Sequence, residues 1–186
     1  MEPDAGLSPA TPVNPPDGYP AELERVLTLP DGATLRIRPI VPDDIERIRH
    51  AFLVGDPDAI WRRFLTGAPP TGEGHLRYLV DIDYHRRLAI VGMDAHGNSI
   101  GVARYEGTED LASAEIAVIV EPDWQRRGVG LALLEALMPP AIRAGIGRFE
   151  AMYAPDNRAV AALLEILEFT DCRMEDGLMV MTLDLQ

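Results

Sequence analysis

Hydrophobic and polar positions near the start of the folded chain alternate first with a period of two and then with a helical period. The alternation lies on either side of Pro30-Asp31-Gly32, a turn sequence, and therefore predicts a β-hairpin. Pro42-Asp43-Asp44 follows as a helix cap, with Ile45, Ile48 and Phe52 at helical spacing behind it. The predicted hairpin strands cover residues 26–29 and 34–38, and the predicted helix starts after them.

Beyond this point the pattern predicts alternating helices and strands without an internal repeat. Pro139 and Pro140 interrupt one long helical pattern, and a proline in a helix interior costs about 3 kcal/mol. We therefore expect that helix to end near Met138, or to kink, with a new turn that stops at Gly145. The predicted helices are 57–65, 72–80, 128–144 and one from Asn157, and the predicted strands are 87–93, 99–105, 113–120, 148–153 and 178–184.

Length and composition predict one folded domain behind a disordered tail. Residues 1–20 contain six prolines and few large apolar residues, so they are expected to be disordered, and 21–186 to form a single domain. Apolar runs are too short for a membrane span, and no basic and apolar leader opens the chain, so we expect a cytoplasmic protein. The single cysteine, Cys172, excludes an internal disulfide and a cysteine-rich metal site, and is expected to be a small buried hydrophobe. We expect no metal.

Charge narrows the choice of partners. The net charge of −13 argues against nucleic-acid binding, since phosphate backbones favour basic protein surfaces. An acidic surface could receive a basic partner, although it is more often a solubility device. All 17 cationic side chains are arginine, so the protein carries no lysine ε-amine of its own.

The stretch Gln125-Arg126-Arg127-Gly128-Val129-Gly130 carries the clearest chemical signal. It lies between an apolar strand pattern and the start of a helix, where backbone N–H groups lack helical partners and the helix dipole is positive. Two glycines allow close approach to a ligand and two arginines add charge, which together favour binding of a pyrophosphate. The alternative is a glycine-containing surface turn.

This stretch is neither a dinucleotide fingerprint nor a P-loop, because the further glycine or the Lys-Ser/Thr that those motifs need is missing. It resembles the Q-x-x-G-x-G acetyl-CoA signature of the GCN5-related N-acetyltransferase (GNAT) superfamily. About thirty residues on, Asn157-Arg158-Ala159 opens a helical pattern that ends at Glu168-Phe169, similar to the family's next motif. Glu168 stands where the family usually has glycine.

Further stretches resemble the acetyltransferase domain of bacterial Pat-type protein lysine acetyltransferases, over residues 18–185. They are Gly18-Tyr19-Pro20, the 29–38 hairpin, Arg63-Phe64 and Ile82–Ala89. The resemblance implies an α/β (α+β) GNAT fold, in which helices flank a mixed, mostly antiparallel sheet and a splayed strand pair binds acetyl-CoA.

The resemblance also implies an activity, the transfer of an acetyl group from acetyl-CoA to a protein lysine. The acceptor in such enzymes is an acyl-CoA ligase such as acetyl-CoA synthetase. Two alternatives stay open: a small-molecule amine acetyltransferase and a noncatalytic acyl-CoA-sensing module. We expect no nucleic-acid or membrane partner, and a monomer or homodimer.

The family pattern assigns cofactor-binding positions to this chain. Val118, Ile119 and Val120 would face the pantetheine arm, with a backbone N–H there as oxyanion donor, although a plain core strand gives the same pattern. Asn157 would contact the cofactor, or act only as a helix cap. The phosphate-binding signature comprises Gln125, Arg126, Arg127, Gly128, Val129, Gly130 and Leu131.

Glu115 is the candidate general base. It interrupts an apolar strand pattern, where a buried carboxylate is costly unless it is paired or functional, and its place matches the catalytic glutamate of Pat-type relatives. The alternative is a strand-end glutamate that faces solvent. A general acid is less evident, because Leu164 occupies the position of the family's tyrosine. Tyr105 and Tyr153 are candidates, each also explicable as a core or surface aromatic residue.

Overall fold

The computed structural model describes residues 12, 14–54 and 72–185, with side chains of 50–54 excepted. The predicted helix at 57–65 and the Arg63-Phe64 pair lie outside the described residues, as does most of the predicted disordered tail. Within the described part of that tail, Tyr19 packs edge-on against Tyr84, with ring centroids 5.8 Å apart.

An eight-stranded sheet forms the centre of the fold. Its order is β1-β2-β3-β4-β5-β6-β8-β7, and every neighbouring pair is antiparallel except the parallel pair β5–β6. The mixed, mostly antiparallel sheet expected from the sequence is confirmed. The strands are β1 Arg25–Thr28, β2 Thr34–Pro39, β3 Arg87–Met93, β4 Ser99–Gly107, β5 Ala114–Val120, β6 Arg148–Tyr153, β7 Thr170–Glu175 and β8 Leu178–Asp184.

Helices in the described part of the chain cover the two faces of this sheet. One face packs on α3 and α4, in a large core that includes Leu133, Phe149 and Leu164. On the other face, a smaller core joins α1 and α2 to β3 and β4. The helices are α1 Ile45–Val54, α2 Glu73–Val80, α3 Val129–Ala144 and α4 Arg158–Ile166. No helix in the described ranges is long and apolar enough to span a membrane.

A buried ion pair fixes the start of α1. The Arg38 guanidinium donates from Nη1 and Nη2 to the two carboxylate oxygens of Asp44, each at 2.7 Å, and both residues are buried. Asp44 Oδ2 also accepts a hydrogen bond from the backbone N–H of Val41 at 2.9 Å. The predicted capping sequence therefore does more than cap, because it anchors the helix to strand β2.

Of the two expectations for this helix, an end near Met138 is wrong, because α3 runs without a break from Val129 to Ala144 through Pro139 and Pro140. A kink at the prolines stays a prediction. Each proline removes one backbone N–H, but core packing on either side, at Leu137 and Ala141, holds the helix together. The helix stops at Gly145, as expected, where the backbone turns left-handed.

Strand β7 was not predicted, because every one of its residues is exposed and it shows no hydrophobic alternation. It forms through backbone pairing with β8, at the edge of the sheet. Cys172 lies in this strand and is exposed, so the expectation of a buried cysteine is wrong.

Candidate active site

Strands β5 and β6 pair for three residues and then part. Their register ends at Ile116 opposite Ala151, whereas β5 continues to pair with β4 as far as Val120. The backbone edge of Ala117–Val120 that faces β6 therefore has no strand partner. Such an edge offers N–H and C=O groups to a ligand in the gap. Val118, Ile119 and Val120 are half-buried there.

The loop after β5 turns sharply into α3. A 3₁₀ turn at Pro122–Trp124 is followed by Gln125, whose Nε2 donates to the backbone oxygen of Val120 at 3.0 Å. Gly128 precedes the helix with a φ of +92°, in the left-handed region where a side chain is strained. Arg126 also has a left-handed φ, of +58°.

The first turn of α3 presents unpaired N–H groups, as a phosphate site requires. Ala132 is the first residue whose N–H reaches back, to the oxygen of Gly128 at 3.0 Å. The structure records no backbone hydrogen bond for the N–H groups of Val129, Gly130 or Leu131, and Gly128 has no side chain to cap them. These donors and the positive end of the helix dipole fit a pyrophosphate group.

Gly130 has a packing role that the sequence did not reveal. A Cβ atom on it would lie 3.2 Å from Leu163 Cδ2 in α4 and 3.6 Å from Val120 Cγ2 in β5. The missing side chain therefore lets α3 lie close to the diverging strand and to α4. Its effect on the ligand is indirect, through the position of the helix start.

The two arginines of the loop have different surroundings. Arg127 Nε donates to Asp31 Oδ2 at 2.5 Å, and its guanidinium lies 4.1 Å from the centre of the Trp124 ring. Arg126 is exposed, and no hydrogen bond or ion pair is recorded for it. Only Arg127 is thus held in a fixed place.

Asn157 caps helix α4. Its Oδ1 accepts a hydrogen bond from the backbone N–H of Val160 at 3.2 Å, and the residue is buried. The capping interpretation therefore holds. Contact with the cofactor stays a prediction, for which the side-chain amide group would be the donor.

Glu115 is exposed, so the expectation of a buried carboxylate is wrong. It is paired across β4–β5 with Glu106 and across β5–β6 with Glu150, and paired residues point to the same face of a sheet. Alternate residues of a strand face the same side, so Glu106 shares its face with Val102 of the same strand β4. Val102 packs on the core formed with α1 and α2, so these helices lie on the face of Glu115. Glu115 lies one residue before the point at which β5 and β6 part.

The neighbouring Glu106 is held by two residues that the sequence did not single out. The Tyr78 hydroxyl donates to Glu106 Oε1, and Arg87 lies 3.7 Å from the centre of the Tyr78 ring with its Nε 3.9 Å from Glu106 Oε2. Burial, and then the hydrogen bond to Glu106, raise the pKa of Tyr78. Glu115 and Glu150 form the register pair next to the strand divergence, and Glu115 is the more exposed of the two. Arg148 and Arg173 interact electrostatically with Glu150, so within the described ranges Glu115 is the carboxylate of this pair without a recorded cation.

Neither tyrosine suggested as an acid lies free in the site. Tyr105 is buried and donates to the backbone oxygen of His85 at 2.9 Å, and Tyr153 is buried with its hydroxyl 3.4 Å from Met181 Sδ. Burial raises the pKa of both. Both are core aromatic residues. The described part of the chain holds no cluster of histidine, cysteine and carboxylate side chains suited to a metal ion.

A diverging parallel strand pair beside a glycine-bearing helix N-terminus defines the class of acyl-CoA-dependent acyltransferases with a GNAT fold. A model of the Acetyltransferase (GNAT) domain family matches residues 34–170. The chain therefore belongs to this family. The family uses acetyl-CoA as cosubstrate.

Similar proteins include acetyltransferases from several bacteria. The chain is 31% identical over 157 residues to the acetyltransferase Pat of Mycolicibacterium smegmatis, covering 83% of the chain but 46% of that protein's length. It is 31% identical over 144 residues to the acetyltransferase PA5475 of Pseudomonas aeruginosa, covering 76% of each. The GNAT domain of S. lividans PAT superposes with a TM-score of 0.83 at 29% identity, over 90% of this chain and 99% of that one.

Proposed function

We propose that the protein transfers the acetyl group of acetyl-CoA to the ε-amine of a lysine on a protein, and that the acceptor is an acyl-CoA ligase such as acetyl-CoA synthetase. Similarity to Pat and to the S. lividans PAT domain supports a protein acceptor. Since the chain spans 46% of the length of the Pat relative, the acceptor of that whole protein is carried over only as part of this proposal.

The observation that carries the proposal is the row of carboxylates on the face of Glu115. Glu106, Glu115 and Glu150 occupy three adjacent strands in register, where like charges placed side by side are unfavourable without cations between them. Arg87 lies near Glu106, and Arg148 and Arg173 interact electrostatically with Glu150, whereas among the described residues no cation is recorded against Glu115 between them. An approaching lysine ammonium would be attracted to this row. It would arrive beside the gap between β5 and β6, where acetyl-CoA is expected.

Each residue then has a defined task. Glu115, directly or through a water, removes the proton that the ammonium must lose before its nitrogen can attack the thioester carbonyl. Backbone N–H groups of Val118–Val120 stabilise the negative charge that develops on the carbonyl oxygen. Attack forms the nitrogen–carbon bond of a tetrahedral intermediate, and its collapse restores the carbonyl and breaks the carbon–sulfur bond. The proton that the attacking nitrogen still has to lose passes to the leaving thiolate, directly or through solvent, so the products are the amide and the coenzyme A thiol and no protein acid is needed.

The test of the base is Glu115→Gln, which keeps the shape of the side chain and removes its basicity. We expect kcat to fall by roughly 10²–10⁴-fold while acetyl-CoA affinity holds. Glu150→Gln is the matched control, because it removes a charge from the same row on the neighbouring strand and should mainly raise the acceptor KM. A near-normal kcat in the Glu115→Gln variant, or an equal loss of kcat in both variants, would remove Glu115 from the role of base.

The test of the acceptor uses acetyl-CoA with purified acyl-CoA ligases from the source organism, followed by mass spectrometry of acetyl-lysine against a no-enzyme control. Since the chain contains no lysine, any acetyl-lysine signal comes from the acceptor. Efficient turnover of a free polyamine or aminoglycoside with no ligase labelled would favour the small-molecule alternative. Acetyl-CoA binding without turnover of any amine would favour a sensing module.

A further inference from the structure

The turn of the β1–β2 hairpin touches the phosphate loop, although the two segments are far apart in sequence. Asp31 in the turn accepts a hydrogen bond from Arg127 Nε at 2.5 Å, across 96 residues of chain. Beside it, Pro30 Cδ lies 3.1 Å from the position that a Cβ on Gly128 would take. The hairpin turn therefore packs directly against the residue that precedes helix α3.

The Arg127 guanidinium is held by two contacts and is otherwise open to solvent. Asp31 binds its Nε, and the Trp124 ring lies under the guanidinium at 4.1 Å. No other hydrogen bond of Arg127 is recorded, and its side chain is 34% exposed. Because a guanidinium has a planar and rigid set of donors, fixing Nε also fixes the directions of the two Nη groups.

Asp31 is itself held in place. Its Oδ1 accepts a hydrogen bond from the backbone N–H of Ala33 at 2.9 Å, within the turn. This bond, and next the Arg127 guanidinium, hold the pKa of the Asp31 carboxyl below its usual value. The carboxylate thus reaches Arg127 from a backbone that is fixed by the hairpin.

We propose that Asp31 is a positioning residue of the acetyl-CoA site, which aims the Nη donors of Arg127 at a phosphate group of acetyl-CoA bound on the N-terminus of α3. The β1–β2 turn is then part of the cofactor site. This inference rests on acetyl-CoA binding at the phosphate loop. Arg126, exposed and without a recorded partner, supplies charge there but no fixed direction.

If Asp31 positions Arg127, removing its charge should change the affinity for coenzyme A in the direction opposite to that expected from charge alone. Asp31 carries a negative charge close to a site for an anion, so a charge effect alone would make Asp31→Asn bind coenzyme A more tightly. Loss of orientation instead weakens binding, because Arg127 no longer presents its donors in place. We expect the dissociation constant of coenzyme A to rise roughly three- to tenfold, as for the loss of one charge-assisted hydrogen bond.

The experiment is calorimetric titration of coenzyme A into the wild type, Asp31→Asn, Arg127→Gln and the double variant. The two single losses should not add, since both act through Arg127. Asp184→Asn is the matched control, because the exposed Asp184 likewise accepts from an arginine Nε, that of Arg148 at 2.6 Å. This pair joins the end of β8 to the start of β6, away from the phosphate loop after β5, so the substitution should leave affinity unchanged. Thermal unfolding of each variant checks that the fold is intact.

Two further measurements separate the possible outcomes. Titration with 3′-dephospho-coenzyme A shows whether the loss follows the pyrophosphate, in which case it persists, or the 3′-phosphate, in which case it disappears. The Arg127 Nε–H resonance in nitrogen-15 spectra should be protected from exchange in the wild type and lose protection in Asp31→Asn. Unchanged or tighter binding by Asp31→Asn would overturn the inference, whereas no binding by the wild type would instead overturn the cofactor site.

Discussion

Gly128 and Gly145 stand before and after helix α3 with nearly the same left-handed backbone, at φ values of +92° and +88°. Their surroundings differ, because a Cβ on Gly128 would meet Pro30 at 3.1 Å and a Cβ on Gly145 would meet nothing within 4 Å. The left-handed backbone strains a side chain at both positions, and at Gly128 the contact with Pro30 adds to this strain. A substitution of Gly145 therefore controls for the backbone strain alone, and an uncharged substitution of Gly128 controls for the contact.

We expect Gly128→Asp to weaken acetyl-CoA binding by about fivefold or more, since a carboxylate next to a pyrophosphate repels it by at least about 1 kcal/mol. Asparagine has the same size as aspartate but no charge, and it adopts a left-handed backbone more readily than most residues. Gly128→Asn should therefore lose less acetyl-CoA affinity than Gly128→Asp. Gly145→Asp should lose stability but not affinity. Calorimetry with acetyl-CoA and thermal unfolding measure the two effects, and equal affinity in Gly128→Asp and wild type would contradict the assignment.

The position of a single residue could be predicted where its residue type occurs in few structural contexts. It could not be predicted where the residue depends on a contact with a residue distant in sequence. Gly128 was placed just before a helix from the pattern, and the structure has it there with a left-handed φ of +92°; its contact with the cofactor stays a prediction. Asp31 could not, since nothing local links it to Arg127, 96 residues away. Glu115 was placed on the correct strand but in the wrong environment, because an interrupted apolar pattern does not tell whether helices cover that part of the face.

Glu168, two residues after the end of helix α4, has a left-handed backbone that is unusual for a residue with a side chain. Glu168, which stands where the family usually has glycine, has a φ of +63°, and the next N–H, of Phe169, bonds to the oxygen of Leu164 at 3.0 Å. The left-handed turn that glycine normally makes is therefore present, at a cost of about 1–2 kcal/mol for a residue with a side chain.

Replacing this residue should stabilise the protein. Glu168→Gly relieves the strain but adds freedom to the unfolded chain, so the free energy of unfolding should rise by about 0.5–1 kcal/mol. Glu165→Gly, one turn earlier inside α4 and also exposed, should lower it by about 1 kcal/mol. Chemical denaturation followed by circular dichroism measures both, and a loss of stability in Glu168→Gly would contradict the strain argument.

The β3–β4 hairpin depends on one carboxylate and should respond to pH. Asp94 accepts hydrogen bonds from the backbone N–H groups of His96 and Asn98, at 2.8 and 2.9 Å, and from the Asn98 side chain. Burial raises its pKa, but these hydrogen bonds outweigh that effect and lower it below the ordinary 3.8. A lowered pKa in the folded state gives stability that is present above the unfolded pKa and is lost as pH falls through the folded one.

Asp94→Asn should accordingly be less stable than the wild type at pH 7, and this difference should shrink as the pH falls below about 4. Urea unfolding of both proteins at a series of pH values measures the difference. A gap that stays constant down to pH 2 would show that the Asp94 charge contributes nothing and that only side-chain shape matters.

At the scale of elements, the strands with one buried face were predictable and the exposed strand was not. Strand β3 was predicted at residues 87–93 and found at Arg87–Met93, since almost all of its residues are buried and apolar. Strand β7 exists through pairing with β8, which leaves no trace in the local hydrophobic pattern. For helix α3, the end predicted near Met138 is wrong, because the helix continues through both prolines, with buried residues packed on either side of them.

The whole molecule combines a strongly acidic net charge with cationic side chains that are all arginine. The net charge is −13, and Glu106, Glu115 and Glu150 of adjacent strands lie on one face, with arginines near Glu106 and Glu150. Acetyl-CoA is an anion, so it is repelled by the whole molecule and attracted locally by the helix N-terminus and the loop arginines. A cationic acceptor is attracted both by the whole molecule and by the local row of carboxylates.

This difference predicts that the KM of the acceptor depends more strongly on salt than the KM of acetyl-CoA. Raising the ionic strength from about 0.05 M to about 0.5 M shortens the screening length from roughly 14 Å to 4 Å, so long-range attraction of a cationic acceptor is lost. We expect the acceptor KM to rise several-fold at constant kcat, and the acetyl-CoA KM to change much less because its local attraction and overall repulsion are screened together. The double variant Glu106→Gln/Glu150→Gln, which leaves Glu115 in place, should flatten the acceptor response. If the acceptor KM is independent of salt in the wild type, the acidic face does not recruit the acceptor, and the amine must be selected by contacts at short range instead.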